Sequence, residues 1–356
     1  MKHLILAINP GSTSTKISVY REKEPVFVVN VTHPDEDLAG FDRITDQMDL
    51  RAEQVMSELK KHGIAVEKLS AVVGRGGMLP PVEAGGYLVN AAMKELIQSG
   101  ILPEHASNLG ALIADRIAAP LGIPAYIYDA VSSDELADIA KITGIPEIRR
   151  QSFCHVLNSK AAARKYATII GANYEDLNLL VAHLGGGISI SAHQKGRMID
   201  TISDDGGPFA PERSGSVPLS YIVEMCYSGK YSEKEIMRKI RGSGGLKAHL
   251  GTSNVLKIEA MIAEGDEYAK QIYDAMSYQI AKGIGNLCTV FDGPIDAILL
   301  TGGVAHSTMQ VRMVEERVKF LAPVIVLPGE NEMESLSLGA LRILKGEEVK
   351  EFIWSG

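Results

Sequence analysis

The chain predicts an α/β protein of two similar domains with a cleft between them, on three observations. It has 356 residues, beyond the ~250–300 at which a single hydrophobic core stops growing. Two stretches, "LILAINPGSTSTKISVY" from Leu4 to Tyr20 and "LLVAHLGGGISISA" from Leu179 to Ala192, are versions of one strand–turn–strand device. The elements following each copy also come in the same order, which a chance likeness of two hairpins would not explain.

In the first cycle, apolar runs predict strands over Leu4–Ile8, Ile17–Arg21 and Val26–Thr32. Met48, Ala52, Val55, Met56 and Leu59 recur at helical spacing and predict a helix. "AVVGRGG" is a buried-type strand ending in Gly74-Arg75-Gly76-Gly77. Helices fit residues 89–99 and 105–119, and the strand "AYIYDA" carries Asp129 at its end. Ser133-Asp134-Glu135 has the composition of a helix cap. The second cycle opens with "NLLVAHLGGGISISAHQKGRMIDTI", read as three strands joined by turns. A long helix from Glu267 to about Val290 follows, with Ala269, Ile272, Tyr273, Met276, Ile280, Ile284 and Leu287 on one face. Next come the strand "AILLTGGV", a helix over 309–320, the strand "VIVL" and a last helix over 333–344.

Composition narrows the function. Hydrophobic residues make up 46% and charged residues 22%, as in ordinary globular chains with ample core material. A net charge of −8 with no basic block argues against a nucleic-acid partner. An anionic ligand must then be held by local features, not by a general positive field. Cys154, Cys226 and Cys288 lie far apart without metal-ligand spacing, which fits a reducing cytosol. The first apolar run is too short for a signal segment or a membrane span, so the expectation is a cytoplasmic protein with no membrane partner.

The turns are where the chemistry concentrates. A plain hairpin needs two turn residues, yet the first turn offers Gly11, Ser12, Thr13, Ser14 and Thr15, followed by Lys16. Glycine lets backbone N–H groups approach a ligand, and successive N–H groups with flanking hydroxyls form an anion nest. The second turn offers Gly185, Gly186 and Gly187, then Ser189 and Ser191. Two such turns facing each other would grip a nucleotide's phosphate chain. A third candidate is Gly302-Gly303, where an apolar strand meets a helix. The P-loop pattern GxxxxGK(S/T) is missing, and no GxGxxG follows a strand.

This arrangement resembles the phosphate-1, phosphate-2 and adenosine motifs of the superfamily of acetate and sugar kinases, heat-shock ATPases and actin. Within it, "NPGSTSTK", "HLGGGISIS", "ERSG" and "ENEMESLSLGAL" resemble the acetate kinase family. "GRGG" and "RRQSFCH" resemble more narrowly the butyrate kinases and their branched-chain relatives. The likeness runs over nearly the whole chain. It implies two duplicated actin-like ATPase (ribonuclease H-like) domains with a nucleotide cleft between them. One domain would be residues 1–133 with a returning segment 334–356, the other residues 134–333.

The resemblance also implies roles, residue by residue. Asn9 and Glu332 match positions that help hold Mg2+, mostly through its waters. Ser12, Ser14 and Lys16 match the first phosphate turn, Gly185, Gly186 and Gly187 the second, and Gly302 and Gly303 the adenosine turn. His183 matches a histidine that hydrogen-bonds the transferred phosphoryl group, and His105 a second active-site histidine. Arg213 and Arg75 match two arginines flanking carboxylate and phosphoryl oxygens. Asp129 matches an acid that orients one of these groups. Taken singly, His183 could equally be a satisfied core histidine, Arg213 a surface ion pair, and Asp129 a loop acid.

The implied reaction is phosphoryl transfer from ATP to a short-chain carboxylate, giving ADP and an acyl phosphate. Butyrate or a branched acid is the expected substrate, with acetate or propionate the alternative within the family. A small Ala182 and a shortened "DDGGPFAP" loop are expected to make room for the longer acyl chain. The family's Asp-Phe-Arg adenosine contact is replaced here by Asn254-Val255-Leu256. At least a dimer is expected from the resemblance. Two remoter readings are an actin-type ATPase and a sugar kinase, whose general base would be sought at Asp204-Asp205-Gly206.

Overall fold

In the computed structural model, which describes residues 2–152, 154–203 and 206–354, the chain divides into two units. One comprises Met1–Asp134 with Asn331–Gly356, and the other Glu135–Glu330. The sequence reading ended the second domain at 333. The last helix in fact begins at Glu332, and Glu332 and Met333 go with the first unit.

The first unit holds β1 (Leu4–Pro10), β2 (Ser14–Arg21), β3 (Glu24–Thr32), β4 (Ala71–Arg75), β5 (Gly86–Leu88) and β6 (Ala125–Tyr128). Their order is β3-β2-β1-β4-β6-β5. β1, β2 and β3 pair antiparallel, whereas β4 lies parallel to β1 and β6 parallel to β4. β1 is buried at every position, as its unbroken apolar run requires of a central strand covered on both faces. Outer β3 alternates between exposed and half-buried.

The second unit repeats this plan. It holds β7 (Asn178–Leu184), β8 (Ile188–Gln194), β9 (Arg197–Ile202), β10 (Ala297–Gly302) and β11 (Val324–Pro328), in the order β11-β10-β7-β8-β9. The hairpins are again antiparallel and the two later strands parallel. Both second hairpins carry a register irregularity, at Val19/Tyr20 and at Ala192/His193. The predicted duplication is therefore present strand for strand, with β5 as the first unit's addition.

Helices cover the sheets as the apolar periodicities direct. Met48–Lys61 buries Ala52, Val55 and Leu59, while Met56, read as part of that face, is exposed. Leu109–Ala118 lies directly on β4, because Gly74 and Gly110 meet backbone to backbone. A Cβ on Gly74 would sit 2.1 Å from the Gly110 carbonyl oxygen. Glu332–Leu344 packs against β1, β2 and β4. In the second unit, Val156–Ile170 covers Leu179 and Val181 on one face of β7. Glu267–Leu287 and Thr308–Val318 cover Leu180, Ala182 and Leu184 on the other. Leu219–Tyr227 places Leu219, Ile222, Val223 and Cys226 at helical spacing yet buries none of its residues.

Ser133-Asp134-Glu135 starts no helix. Asp134 N–H donates to the Val82 carbonyl at 2.8 Å, and Glu135 forms a buried ion pair with Lys160 at 2.7 Å. The same Glu135 carboxylate accepts from Met198 N–H at 3.1 Å, which compensates part of its desolvation.

Near this pair His193 is fully buried, with Tyr174 Oη 2.6 Å from Nδ1 and Ser191 Oγ 2.8 Å from Nε2. Burial first, then the charges of Lys160 and Arg164, push its pKa from 6.5 down to about 3. The folded ring stays neutral at pH values where the unfolded chain takes up a proton. Stability owed to this group is therefore intact above pH 6.5 and lost progressively as the pH falls from there toward 3. Urea midpoints measured at about pH 7 and about pH 5 should show the loss, and His193→Gln should shrink the difference.

Candidate active site

In the first unit, the sheet order β2-β1-β4 brings three strand ends side by side, with Asn9 opposite Lys16 and Ile8 opposite Gly74. The start of the helix Glu332–Leu344 meets them. Asn9 Nδ2 donates to Glu332 Oε2 at 2.6 Å, and Lys16 Nζ lies 3.4 Å from the same oxygen. Arg75 Nη1 donates to Oε1 at 3.2 Å. Glu332 is only 5% exposed, and this carboxylate gathers two cations and an amide. A carboxylate in a first helical turn is also favoured by the helix dipole.

The turn between β1 and β2 closes with Gly11 N–H donating to the Ser14 carbonyl at 2.7 Å. Ser12 is exposed and Ser14 half-buried. Beneath the turn lies Arg51, whose guanidinium takes the carbonyl oxygens of Gly11, Ser12 and Ser14 at 2.8, 3.0 and 3.1 Å. Sequence reasoning passed over Arg51. The signal was its place between Met48 and Val55, on the face that the helix buries.

His105 caps the short helical turn Ala106–Asn108, with Ser107 N–H donating to its Nδ1 at 3.2 Å. Partial burial of the ring, and secondly the Arg75 charge, hold its pKa below 6.5. Asp129 is buried at a positive φ of 42° and braces the Gly85 turn: Gly85 N–H donates to Oδ1 at 2.8 Å. Its own N–H returns a bond to the Gly85 carbonyl at 3.0 Å. The structure thus brings Asn9, Lys16, Arg75 and Glu332 together, with His105 within reach of the Arg75 field, and sets Asp129 on a neighbouring turn.

In the second unit, β7 runs into the turn Gly185–Gly187. Gly185 N–H donates to the Gly187 carbonyl at 3.0 Å, and Glu212 N–H to the Gly186 carbonyl at 3.0 Å. His183, 5% exposed, has Nε2 3.6 Å from Glu330 Oε1. Its Nδ1 is buried and finds no hydrogen-bond partner among the described residues. The His155 ring lies against it, with centroids 4.7 Å apart. His155, the last residue of "RRQSFCH", and Glu330, the first of "ENEMESLSLGAL", lie within quoted motifs without an assigned role; folding sets both beside His183.

Gly302 adopts φ +90°, and a Cβ there would fall 2.4 Å from the Leu184 carbonyl oxygen. This close approach seats the third glycine turn against the end of β7. Gly303, next along, has open space on its Cβ side. These groups gather at the carboxyl ends of parallel strands, where open α/β sheets bind ligands. Arg213 is half-buried in a loop tied down by backbone bonds, its carbonyl accepting from Ala210 N–H at 3.1 Å. Glu212 beside it turns to Ser253, whose Oγ donates at 3.1 Å.

One expectation changes. Ala182 is fully buried in the apolar core with Leu180 and Leu184, on the sheet face opposite His183, so it leaves no room for an acyl chain. Asn254 caps the helix Val255–Ala263, accepting from Lys257 N–H at 3.2 Å. Asp204 and Asp205 lie outside the described residues. Among the described residues no group of three or more His, Cys, Asp or Glu is placed to hold a metal ion. Asn9 and Glu332 offer too few oxygens for a protein cage, and suit a cation that takes its other ligands from phosphate and water.

Known proteins share this architecture. An acetate kinase from Porphyromonas gingivalis superposes with TM-score 0.78 at 19% identity, covering 96% of this chain and 100% of that one. A propionate kinase from Francisella tularensis subsp. tularensis SCHU S4 gives 0.74 at 20%, covering 95% and 98%. A ROK hexokinase from Thermus thermophilus gives 0.52 at 15%, covering 96% and 100%. At such identities the likeness is one of fold, the actin-like ATPase fold. A family profile described as the Acetokinase family matches residues 141–331, more than half of the chain. The chain therefore belongs to the acetokinase family, and its class is that of a carboxylate kinase. No helix is long and apolar enough to cross a membrane among the described residues.

The two glycines of the third turn should respond differently to a methyl group. Gly302→Ala combines a left-handed φ with a backbone clash and should cost roughly 1–3 kcal/mol. Gly303→Ala, with open space, should stay within about 1 kcal/mol of wild type. Paired denaturant midpoints check both.

Proposed function

We propose that the chain is a butyrate kinase, transferring the γ-phosphoryl group of ATP to butyrate or a branched short-chain acid. The observation that supports it is the cluster at the end of the "GRGG" strand. Arg75, Lys16 and Asn9 stand on Glu332 beside the hydroxyl-rich turn Gly11–Ser14. The related structures named acetate kinase and propionate kinase make those two acids the alternative substrates.

In the reaction, a carboxylate oxygen bonds to the γ-phosphorus while the bond from that phosphorus to the β,γ-bridging oxygen breaks. The electron pair leaves with ADP. A carboxylate is ionised at neutral pH, so no proton has to be removed and the protein's task is alignment and charge. Arg213 and Arg75 each present a planar fork suited to carboxylate and phosphoryl oxygens, offsetting repulsion between two anions. The buried Nδ1 of His183, unpartnered among the described residues, leaves that ring poised for a ligand. Backbone N–H groups of Ser12 and Thr13, and of Gly186 and Gly187, take phosphate oxygens, and Gly303 leaves space for a planar base. Mg2+, when bound, neutralises phosphate charge, with Asn9 and Glu332 holding its waters. We further propose a dimer in solution and a cytoplasmic location.

A hydroxamate assay with Mg-ATP across straight and branched acids from acetate to hexanoate, alongside a sugar panel, tests the reading. Butyrate or isobutyrate should give the highest kcat/KM, with acetate lower by about one to two orders of magnitude. Equal values for acetate and butyrate would sink the butyrate assignment, and turnover of sugars alone would sink the class of acceptor. Arg213→Ala should lower kcat roughly a hundred- to a thousand-fold, while ATP affinity holds within about twofold. Glu332→Ala should raise the Mg2+ concentration for half-maximal rate by about tenfold, and an unchanged requirement contradicts its metal role.

A further inference from the structure

Arg51 is 1% exposed, among the largest fully buried side chains in the molecule. Its bonds account for all five N–H donors. Nη1 serves Gly11 O, Ser14 O and Thr15 Oγ1 at 2.8, 3.1 and 3.1 Å. Nη2 serves Ser12 O at 3.0 Å and Gln47 Oε1 at 2.8 Å, and Nε serves the same Gln47 oxygen at 3.1 Å. Every one of these acceptors is an uncharged oxygen. A buried guanidinium is ordinarily paired with a carboxylate, because a charge taken out of water needs an opposite charge nearby. Among the described residues its hydrogen-bond partners are dipoles alone.

The geometry has a second consequence. In a trans peptide the N–H and C=O point opposite ways. Carbonyls of Gly11 and Ser12 drawn onto Arg51 therefore turn the N–H groups of Ser12 and Thr13 away from it, toward the outer side of the turn. The neighbouring His33 completes the buried layer, its Nε2 2.7 Å from Thr15 Oγ1. Burial and the Arg51 charge lower its pKa, against a smaller opposing pull from Asp37, so this ring adds no second cation near neutral pH.

We propose that Arg51 is the positioning residue of the Gly11–Ser14 turn, and that its buried charge, paired with no carboxylate among the described residues, takes the phosphate chain of a nucleotide as its counter-anion. The inference rests on the reading of this turn as a phosphate site. Anion binding at the outer N–H groups and the guanidinium beneath then act on the same peptide dipoles from opposite ends. Arg51 touches no substrate; it acts through the turn.

Gln47→Glu tests this with little change of shape, since it places a permanent carboxylate on the atoms that Gln47 Oε1 already contacts. The expected result is a protein at least as stable as wild type, with Mg-ADP affinity by calorimetry weakened about tenfold. KM for ATP should rise in step while KM for the carboxylate stays unchanged. A Gln47→Glu protein that binds Mg-ADP as wild type does, or that fails to fold, overturns the proposal. Gln47→Met removes the acceptor but leaves the charge, and should retain wild-type ADP affinity; a loss equal to that of Gln47→Glu would assign the effect to packing and also overturn it. Arg51→Lys keeps the charge yet holds fewer carbonyls, so unweakened ADP binding in that variant overturns the positioning role. Wild-type protein that binds no ADP would instead refute the phosphate-site reading itself, a separate outcome.

Discussion

A carboxylate shut away from water must be met by cations or hydrogen-bond donors, and in the first unit Asn9, Lys16 and Arg75 meet Glu332. Asn9 comes from the end of β1, Lys16 from β2 and Arg75 from the end of β4. The last helix of the chain delivers the acid, starting at the residue that needs compensating. Loss of that helix would expose the central strands it covers and leave two cations without their anion. Fold and candidate chemistry are therefore held by one set of contacts.

The same logic, with the signs reversed, operates a few residues away. Arg51 is a cation that pairs with no carboxylate among the described residues and is held by carbonyl, amide and hydroxyl oxygens. Glu332 is an anion that two cations, Lys16 and Arg75, approach. Three cationic side chains, Arg51, Lys16 and Arg75, thus gather near the Gly11–Ser14 turn, in a chain whose overall charge is −8. A local field of this kind is what an acidic protein requires if it is to hold a polyanion.

In the second unit glycine does what charge does in the first. Gly302 lets β10 finish against the Leu184 carbonyl, so the ends of β7 and β10 converge where His183, Glu330 and the Gly185–Gly187 turn stand. The loop holding Arg213 is positioned by backbone bonds to its neighbours, not by a helix or strand of its own. A rigid backbone with half-exposed polar side chains is a suitable base for alignment catalysis.

The duplication, the strands other than the short β5 and the three glycine turns were legible in the chain itself, because each leaves a local pattern of alternation, an apolar run or clustered glycine. Leu219–Tyr227 carries helical spacing but buries none of it, and Val156–Ile170 went unread despite its buried face. Contacts between residues far apart in sequence were decided only by the tertiary structure. Asn9 meets Glu332, Arg51 meets Gly11, Glu135 meets Lys160, and Ala182 faces the core instead of the site. A polar residue's role depends on which charges share its low-dielectric surroundings, and folding alone chooses those neighbours.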